Sequence, residues 1–454
     1  MHPFQHTDLP FHPAALIERV GKLIPRLGEL QIGPENVLAV QSKDPAVWPW
    51  IWALAHAVEQ PFMPLNPDLT DEQVSRILAS AGNAVLLDRG RDNSLVIQRR
   101  SRNETLHHPR QADAPPLPIG LIIHTSGSEG QARGVMLSAP AIEAAAEAAN
   151  RRLHLQRDDL WLLCLAPWHI GGMAILERTL LQAARVSLLP GFDAETVWAR
   201  LRQQPVTHLS LVPAMLARLL EQSKQQPPPE HLRKVLIGGG ALSSTLYRAA
   251  IDQGWPLCVS YGLSEAGSQV ATLCTRERDW QPGRVGHPLN GMQVRIAKTA
   301  SEEYGPIQLR GPMLMTGYLN PALQPGVGLE ADGWFQTNDL GRLDEQGSLQ
   351  LLGRSDAMII SGGINVHPAQ IEQLLQAYPG LREVVVTGTP DPVYGEIITA
   401  VVSGVNDMEQ LLAWCRDRLP AAMRPRRVIC LEKLPLLSNG KIDRLGVKRL
   451  AAQA

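Results

Sequence analysis

Cysteine is scarce in this sequence, and its cysteines lie far apart. The five are Cys164, Cys258, Cys274, Cys415 and Cys430. They form no Cys-x-x-Cys pair and mostly lie in apolar runs, which argues against a zinc site or a disulfide framework. The sequence therefore predicts reduced, buried thiols in a cytoplasmic protein.

Long apolar runs and an excess of charge of one sign are also missing. No run approaches the roughly 20 apolar residues that a bilayer-spanning helix needs. Residues 1–6 lack the basic-then-apolar layout of a signal peptide. The 43 Lys and Arg residues nearly balance the 44 Asp and Glu residues, which leaves a net charge of −1. We therefore expect no membrane span and no nucleic-acid partner.

What the chain does have is an alternation of strand-like and helical segments. The predicted strands are 36–40, 61–66 and 83–87, and the predicted helices are 48–58 and 71–81. Thr70 is a predicted N-cap of the second helix, with Gln73 completing a capping box. This alternation favours an α/β fold with a mostly parallel sheet covered by helices.

The chain length and a change in the pattern of predicted helices and strands indicate more than one domain. A chain of 454 residues favours two or three domains. From about residue 284 helices become rare and short strands alternate with turns, which predicts a small β-rich subdomain over about 284–353. A mixed segment follows, with helices predicted near 368–376 and 408–418.

The most informative segment runs from His124 to Gly134. It follows the apolar run Leu121-Ile122-Ile123, which predicts a buried strand. Its glycines allow positive φ and close approach of a ligand, while successive N–H groups, hydroxyls and an Arg favour an anion. The segment therefore predicts a phosphate-binding loop, although it lacks the Gly-Lys-Ser/Thr of a Walker loop.

Two more predicted strands end in glycine-containing turns. Residues 234–237 lead into Gly238-Gly239-Gly240, and residues 256–260 lead into Tyr261-Gly262. In open α/β sheets ligands bind beyond the carboxyl ends of the strands. These turns therefore extend the predicted site around the phosphate loop.

Further motifs follow in a fixed order. They are Pro167-Trp168-His169-Ile170-Gly171-Gly172, Ser260-Tyr261-Gly262-Leu263-Ser264-Glu265, Thr337-Asn338-Asp339-Leu340-Gly341, Gly353-Arg354-Ser355-Asp356, Ser361-Gly362-Gly363 and Asn439-Gly440-Lys441. With the phosphate loop and the Gly238 turn, this ordered set resembles the adenylate-forming family of acyl-CoA synthetases, luciferases and peptide-synthetase adenylation domains. The resemblance covers residues 35–445. It implies formation of an acyl-AMP from a carboxylate and ATP, and then transfer of the acyl group to a thiol.

The resemblance implies ATP, Mg²⁺ and coenzyme A as cofactor and co-substrates, and a role for each motif. The implied catalytic residues are Lys441, His169 and Glu265, with Glu265 also the ligand of Mg²⁺. The implied ATP and AMP contacts are Thr125, Ser126, Gly127, Ser128, Gly130, Arg133, Gly239, Gly240, Ala241, Tyr261, Gly262, Ser264, Asp339 and Arg354. Among these, Tyr261 would stack on adenine and Asp339 would accept the ribose hydroxyls.

The resemblance also implies a division into a large and a small domain. The large AMP-binding domain would be 1–353, the hinge 354–356 with Asp356 as its pivot, and a mobile α+β C-terminal domain 357–454. After rotation of that domain, Ser361, Gly362 and Gly363 would line the tunnel for the CoA pantetheine.

The chain departs from the family pattern at the phosphate loop. Glu129 replaces a second hydroxyl, Ala132 a proline, and Arg133 a lysine. Arg keeps the charge but changes its geometry. A carboxylate near triphosphate is repulsive unless it points to solvent or reaches Mg²⁺. The changes leave open a degenerate member that binds a nucleotide without turnover.

The acid is suggested by resemblance within the family. Residues 161–181 and 261–273 look most like o-succinylbenzoate–CoA ligases of menaquinone synthesis, which implies His169, Arg178 and Ser268 as acyl-substrate residues. Arg178 would pair with a second substrate carboxylate, although an ordinary surface arginine is the alternative. A ligase for another aryl or medium-chain acid remains open.

The acceptor and the assembly are also left open by the sequence. Loading of the acyl group onto a carrier protein instead of CoA remains an alternative. A basic patch, Arg424, Arg426 and Arg427, suits either CoA phosphates or an acidic carrier. We expect a monomer or a homodimer.

Overall fold

The computed structural model describes most of the chain. The described residues are 20–21, 24–25, 27, 29–30, 32, 36–81, 84–89, 95–100, 119–125, 133–297, 303–320, 323–405, 407–437 and 440–453. Within them we find no helix with the length and apolar character needed to traverse a lipid bilayer.

The first sheet has seven strands in the spatial order β16-β6-β5-β2-β1-β3-β4. Its strands are β1 (Val37–Gln41), β2 (Phe62–Leu65), β3 (Ala84–Arg89), β4 (Leu95–Arg100), β5 (Ile119–Thr125), β6 (Arg133–Ser138) and β16 (Gly317–Tyr318). The central strands pair in parallel, and the strands at both edges pair antiparallel. The central strands are buried apolar runs, as is typical of parallel strands in a sheet that is covered on both faces.

The second sheet has six strands in the order β12-β11-β10-β9-β7-β8. Its strands are β7 (Leu160–Leu163), β8 (Arg185–Leu188), β9 (His208–Leu211), β10 (Lys234–Ile237), β11 (Leu257–Leu263) and β12 (Ser268–Cys274). Only β12 pairs antiparallel. The carboxyl ends of β9, β10 and β11 therefore meet at one edge.

Helices cover both sheets. They are α1 (Val47–Ala57), α2 (Asp71–Ser80), α3 (Ala139–Leu153), α4 (Ile170–Gln182), α5 (Ala194–Gln203), α6 (Pro213–Ser223) and α7 (Ser244–Asp252). The predicted capping box of α2 is confirmed: Thr70 Oγ1 accepts from the Gln73 backbone, and Gln73 Oε1 from the Thr70 backbone. Helix α3 contacts strands of both sheets and packs on α4, which contacts the second sheet, so one apolar core joins the sheets.

A third, antiparallel sheet follows in the stretch that was predicted to be β-rich. Its strands are β13 (Arg284–Gly286), β14 (Gln293–Ile296), β15 (Gly305–Arg310), β17 (Phe335–Leu343) and β18 (Leu349–Arg354), in the order β13-β18-β17-β15-β14. Strands β17 and β18 place Asp339 opposite Arg354.

The remaining residues form a separate α+β unit. Its elements are β19 (Ile359–Ser361), β20 (Ile364–Val366), α8 (Pro368–Leu375), β21 (Glu383–Asp391), β22 (Gly395–Ser403), α9 (Met408–Arg418), β23 (Arg427–Leu431) and α10 (Arg444–Gln453). The unit has its own apolar core, in which Ile371, Val386 and Ala400 are buried. The expected α/β fold class is confirmed.

One sequence expectation fails in the second sheet. Cys258 and Cys274 lie opposite each other on β11 and β12 and are joined by a disulfide. The prediction of reduced thiols was wrong for this pair, because a separation of 16 residues does not reveal that the strands form a hairpin. Of the free cysteines, Cys164 and Cys415 are buried as expected, whereas Cys430 is exposed.

Candidate active site

A tyrosine, an aspartate and an arginine from two sheets meet at the end of β11. Tyr261 Oη donates to Asp339 Oδ2 over 2.7 Å. Arg354 Nη1 lies 3.4 Å from the other carboxylate oxygen of Asp339. Burial raises the pKa of Tyr261 well above its usual range, and the charge of Asp339 adds to this. Burial also raises the pKa of Asp339, although Tyr261 and Arg354 oppose that shift.

The predicted hinge residue belongs to the same cluster. Arg354 Nε and Nη2 donate to the two carboxylate oxygens of Asp356, at 2.8 Å and 2.5 Å. Asn338 Nδ2 donates to the same carboxylate over 3.3 Å. The side chain of Asn338 therefore has a partner at the predicted hinge.

Glu265 is held by a residue that the motifs did not point to. Tyr318 Oη donates to Glu265 Oε1 over 2.9 Å, and the Glu265 carbonyl accepts from the Met315 backbone over 2.7 Å. The guanidinium of Arg133 lies 5.5 Å from the Tyr318 ring centroid. The pairing of β16 with β6, which is distant in sequence, brings Tyr318 here.

The two ends of the phosphate loop lie opposite each other. Thr125 pairs with Arg133 at the end of the β5–β6 hairpin, and Thr125 Oγ1 donates to the Arg133 carbonyl over 3.2 Å. Ser126, Gly127, Ser128 and Gly130, predicted to bind phosphate, lie outside the described residues, as do Glu129 and Ala132.

The C-terminal unit brings Lys441 to this edge of the second sheet. A Cβ on Gly239 would lie 3.2 Å from Lys441 Nζ, and Lys441 is near enough to His169 for its charge to act on that ring. Burial, and then the charge of Lys441, lowers the pKa of His169 to about 4. Burial also lowers the pKa of Lys441, because it removes water from around the ammonium. His169 is therefore neutral at pH 7.

The glycine turn after β10 is open to a ligand. Gly239, Gly240 and Ala241 are exposed at the carboxyl end of that strand, next to Tyr261 on the neighbouring strand. Gly239 has a φ of 75°. The predicted adenine contacts therefore lie together at one edge of the second sheet.

Arg178 is a buried cation on α4. It is 2% exposed, so the alternative of a surface arginine is wrong. Its Nη2 donates to Ser268 Oγ over 3.1 Å, and its guanidinium lies 5.6 Å from the Trp161 ring centroid. Its Nε is buried without a hydrogen-bond partner. Burial lowers the pKa of Arg178 to about 10, and in the described part of the chain no carboxylate pairs with it.

The acid that precedes Arg178 in sequence is engaged elsewhere. Glu177 Oε2 accepts from Trp52 Nε1 over 3.1 Å and lies 2.9 Å from His56 Nε2. Burial works to lower the pKa of His56, but the hydrogen bond and charge of Glu177 outweigh it and raise that pKa. Arg178 and Glu177 both line a narrow cavity, together with Ile142, Ala146, Ile170, Met173, Ala174 and Gly267.

The partner of Arg178 sits on strained backbone. Ser268 has a φ of 115°, a region that side-chain-bearing residues rarely adopt. A Cβ on Gly262 would lie 1.7 Å from the Ser268 carbonyl oxygen. Gly262 is therefore required for the β11–β12 hairpin to return closely enough to aim Ser268 at Arg178. Ser264 begins the short 3₁₀ turn between these residues.

The turn predicted to line the CoA tunnel, residues 361–363, lies on the C-terminal unit. In this structure its contacts are with that same unit. Ser361 and Ile364 close the β19–β20 hairpin. The Gly362 N–H donates to the Tyr394 carbonyl over 2.9 Å. The structure thus brings Lys441 to Gly239 at the end of β10, whereas this turn bonds to Tyr394 of its own unit.

Two family models match the chain. The model of AMP-binding enzymes matches residues 14–319, and the model of the AMP-binding enzyme C-terminal domain matches residues 370–441. The chain belongs to the AMP-binding enzyme family. The resemblance drawn from the motifs is therefore confirmed, and with it the enzyme class, an ATP-dependent acyl-CoA synthetase that forms AMP.

Named relatives and solved structures agree with this family. A 2-succinylbenzoate–CoA ligase of Bacillus cereus is 35% identical over 338 residues, which cover 73% of this chain and 70% of that protein. The structure of o-succinylbenzoate CoA synthetase (MenE) from Bacillus subtilis with the acyl-adenylate OSB-AMP superposes with a TM-score of 0.80 at 25% identity, covering 96% of this chain and 92% of that one. ATP-bound MatB from Rhodopseudomonas palustris shares the fold, with a TM-score of 0.83, 23% identity and coverage of 97% and 93%.

Proposed function

We propose that this acyl-CoA synthetase activates o-succinylbenzoate. The observation that carries the proposal is the buried guanidinium of Arg178, which has no carboxylate partner within the described residues. An unpaired buried charge is costly, and a bidentate carboxylate offsets that cost. A substrate with two carboxylates would present one to the α-phosphate and the other to Arg178. The name of the Bacillus cereus relative supports the same acid.

Two displacements complete the proposed reaction. In the first, a carboxylate oxygen of the acid attacks the α-phosphorus of ATP, and pyrophosphate leaves as the P–O bond breaks. In the second, the CoA sulfur attacks the acyl carbonyl carbon, AMP leaves, and the thiol proton passes to solvent. Both steps concentrate negative charge, so preorganised donors and cations supply most of the catalysis.

The nucleotide is assigned to the cluster at the end of β11. In the proposal, Tyr261 stacks on adenine, beside Gly239, Gly240, Ala241 and Gly262. Asp339 and Arg354 hold the ribose. Ser264 approaches the α-phosphate, and the loop from Thr125 to Arg133 holds the outer phosphates. Lys441 neutralises charge at the carboxylate and α-phosphate. Neutral His169 lines the acyl pocket without adding repulsion to Lys441.

The proposed magnesium ligand fits the chemistry of that ion. Glu265 offers a carboxylate oxygen, and Tyr318 fixes its orientation. In the described ranges no group of three or more His, Cys, Asp or Glu residues could form an all-protein metal cage. This matches Mg²⁺, which is commonly held by one or two carboxylates together with substrate phosphates. The ion would neutralise phosphate charge during adenylation.

The acceptor, assembly and compartment complete the proposal. We assign CoA as the acceptor, with Ser361, Gly362 and Gly363 lining its path after the C-terminal unit rotates about Asp356. Loading of a carrier protein and the choice between monomer and homodimer are outcomes to be measured. The disulfide means that reduced cysteines no longer support a cytoplasmic location. The proposal of that location rests on the ATP and CoA substrates.

The test compares acids and variants in a pyrophosphate-release assay. The wild-type enzyme should release pyrophosphate with o-succinylbenzoate and form a thioester with free CoA. Arg178→Ala should lower kcat/KM for this acid about 30-fold, since a hydrogen bond to a charged group contributes roughly 2 kcal/mol. Arg202→Ala, on the surface of α5, is the matched control.

A second substrate separates pairing from misfolding. An analogue that lacks the second carboxylate should react equally poorly with the wild-type enzyme and with Arg178→Ala. A 30-fold loss with both acids would instead mean that Arg178 supports the fold. Release with other acids but not with o-succinylbenzoate would favour the alternative ligases, and no release with any acid would favour a nucleotide-binding protein without turnover.

A further inference from the structure

Lys441 lies in a tight turn of the C-terminal unit. The Gly440 N–H donates to the Leu437 carbonyl over 2.9 Å, and the Leu437 N–H donates to the Lys441 carbonyl over 2.7 Å. A β-bridge between Leu436 and Ile442 closes the base of the turn. These backbone contacts hold Gly440 and Lys441 next to the bridge.

This turn meets an apolar surface of the large domain. A Cβ on Gly440 would lie 2.8 Å from Met215 Cε and 3.4 Å from Val212 Cγ2. A Cβ on Gly239 would lie 2.6 Å from Lys441 Cε and 3.5 Å from Val212 Cγ1. Val212 thus lies between the two glycines. We call Val212, Met215 and Gly239 the lysine seat.

The seat stands on rigid elements. Val212 follows β9 directly and is the N-cap of α6, and Met215 lies in the first turn of that helix. Val212 and Met215 are 6% and 8% exposed. Gly239 follows the neighbouring strand β10 and has a φ of 75°. The seat therefore fixes the turn relative to the strand ends that carry the nucleotide site.

We infer that Val212 and Met215 are positioning residues for acyl-AMP formation, because their side chains hold the Gly440–Lys441 turn against Gly239 and so place the Lys441 ammonium at the reacting carboxylate. The inference rests on the proposed role of Lys441 and adds residues to it. The contact is one of shape, because a Cβ on Gly239 would clash with the Lys441 stem and a Cβ on Gly440 would clash with Met215. The proposed role of Lys441 belongs to the first displacement, so the thioester step should not depend on the seat.

The two half-reactions provide the first test. Met215→Ala should slow pyrophosphate release about tenfold or more, because small misplacement of a catalytic group costs this much. Thioester formation from preformed acyl-AMP and CoA should stay within about twofold of wild type. Met215→Leu, which preserves the bulk, should restore the first rate. Leu220→Ala, on the same helix and 7% exposed, controls for lost packing and should affect both steps alike.

A double-mutant cycle tests whether Met215 acts through Lys441. In the Lys441→Ala background, Met215→Ala should cause no further loss of pyrophosphate release, because the group that it positions is gone. A further tenfold loss in that background, or equal slowing of both half-reactions, would overturn the inference. A wild-type enzyme without pyrophosphate release would instead count against the proposed function.

Discussion

The hydroxyl of Tyr261 donates a 2.7 Å hydrogen bond to the carboxylate of Asp339. Tyr261 lies on β11 of the second sheet, and Asp339 lies on β17 of the third. This bond ties the proposed adenine platform to the proposed ribose acceptor. It also lowers the pKa of Asp339 against the burial that raises it.

Tyr261→Phe should therefore change how the use of ATP depends on pH. Loss of the donor leaves burial less opposed, so the pKa of Asp339 rises further. The charged carboxylate is the form that accepts from ribose hydroxyls, so the acid limb of kcat/KM for ATP should move to higher pH. The KM for ATP at neutral pH should rise about tenfold. A profile measured from about pH 5 to about pH 8 would contradict this if its acid limb stayed in place.

Tyr318→Phe should weaken the response to magnesium. The variant removes the 2.9 Å hydrogen bond that orients Glu265. Loss of an outer partner of a metal ligand typically costs about tenfold or more in affinity. The Mg²⁺ concentration for half-maximal pyrophosphate release should rise accordingly, while Tyr378→Phe, in the C-terminal unit, should leave it unchanged. An unaltered Mg²⁺ response would contradict the role of Tyr318 in orienting a metal ligand.

Gly262→Ala should destabilise the large domain. The added Cβ would meet the Ser268 carbonyl at 1.7 Å, which forces the β11–β12 hairpin apart. We expect a loss of about 3 kcal/mol or more in the free energy of unfolding, as for other backbone clashes. Gly171→Ala is the control, because its Cβ meets only Leu165 at 3.6 Å. Equal urea midpoints for the two variants would show that the hairpin tolerates the methyl group.

Local patterns in the sequence predicted much of this fold. The capping box at Thr70 and Gln73 depends only on neighbouring residues, so its prediction held. Gly239 was placed correctly beyond a strand end, because the apolar run of β10 stops just before the glycine turn. The turn predicted at Tyr261 and Gly262 was wrong, because β11 continues through both residues to Leu263. The identity of the enzyme class came from ordered motifs, which each describe a local turn.

Contacts between distant segments were not predictable. Tyr318 reaches Glu265 only because the two-residue strand β16 pairs with β6, and no local pattern marks so short a strand. Met215 reads as an ordinary core residue of α6, and its contact with Gly440 depends on the placement of one domain against another. The Cys258–Cys274 disulfide likewise depends on hairpin register. The burial of Arg178 was also not predictable, because the sequence of its helix does not show whether that side chain faces solvent or the core.

Three histidines should make the protein sensitive to acid. Burial lowers the pKa of His124, His169 and His208 from 6.5 to about 4 in each case, with Lys441 contributing at His169. Unfolding frees these rings to bind protons below about pH 6.5, whereas the folded protein resists protonation until about pH 4. Their contribution to stability is therefore complete above pH 6.5 and is lost as the pH falls toward 4.

The free energy of unfolding from urea titrations should fall by several kcal/mol across this window, since each pKa unit corresponds to about 1.4 kcal/mol. His208→Gln should flatten the slope, because His208 is 1% exposed and contributes one of the three suppressed protonations. The same replacement at the exposed His287 serves as the control. A slope that His208→Gln leaves unchanged would mean that carboxylates, not buried imidazoles, carry the acid sensitivity.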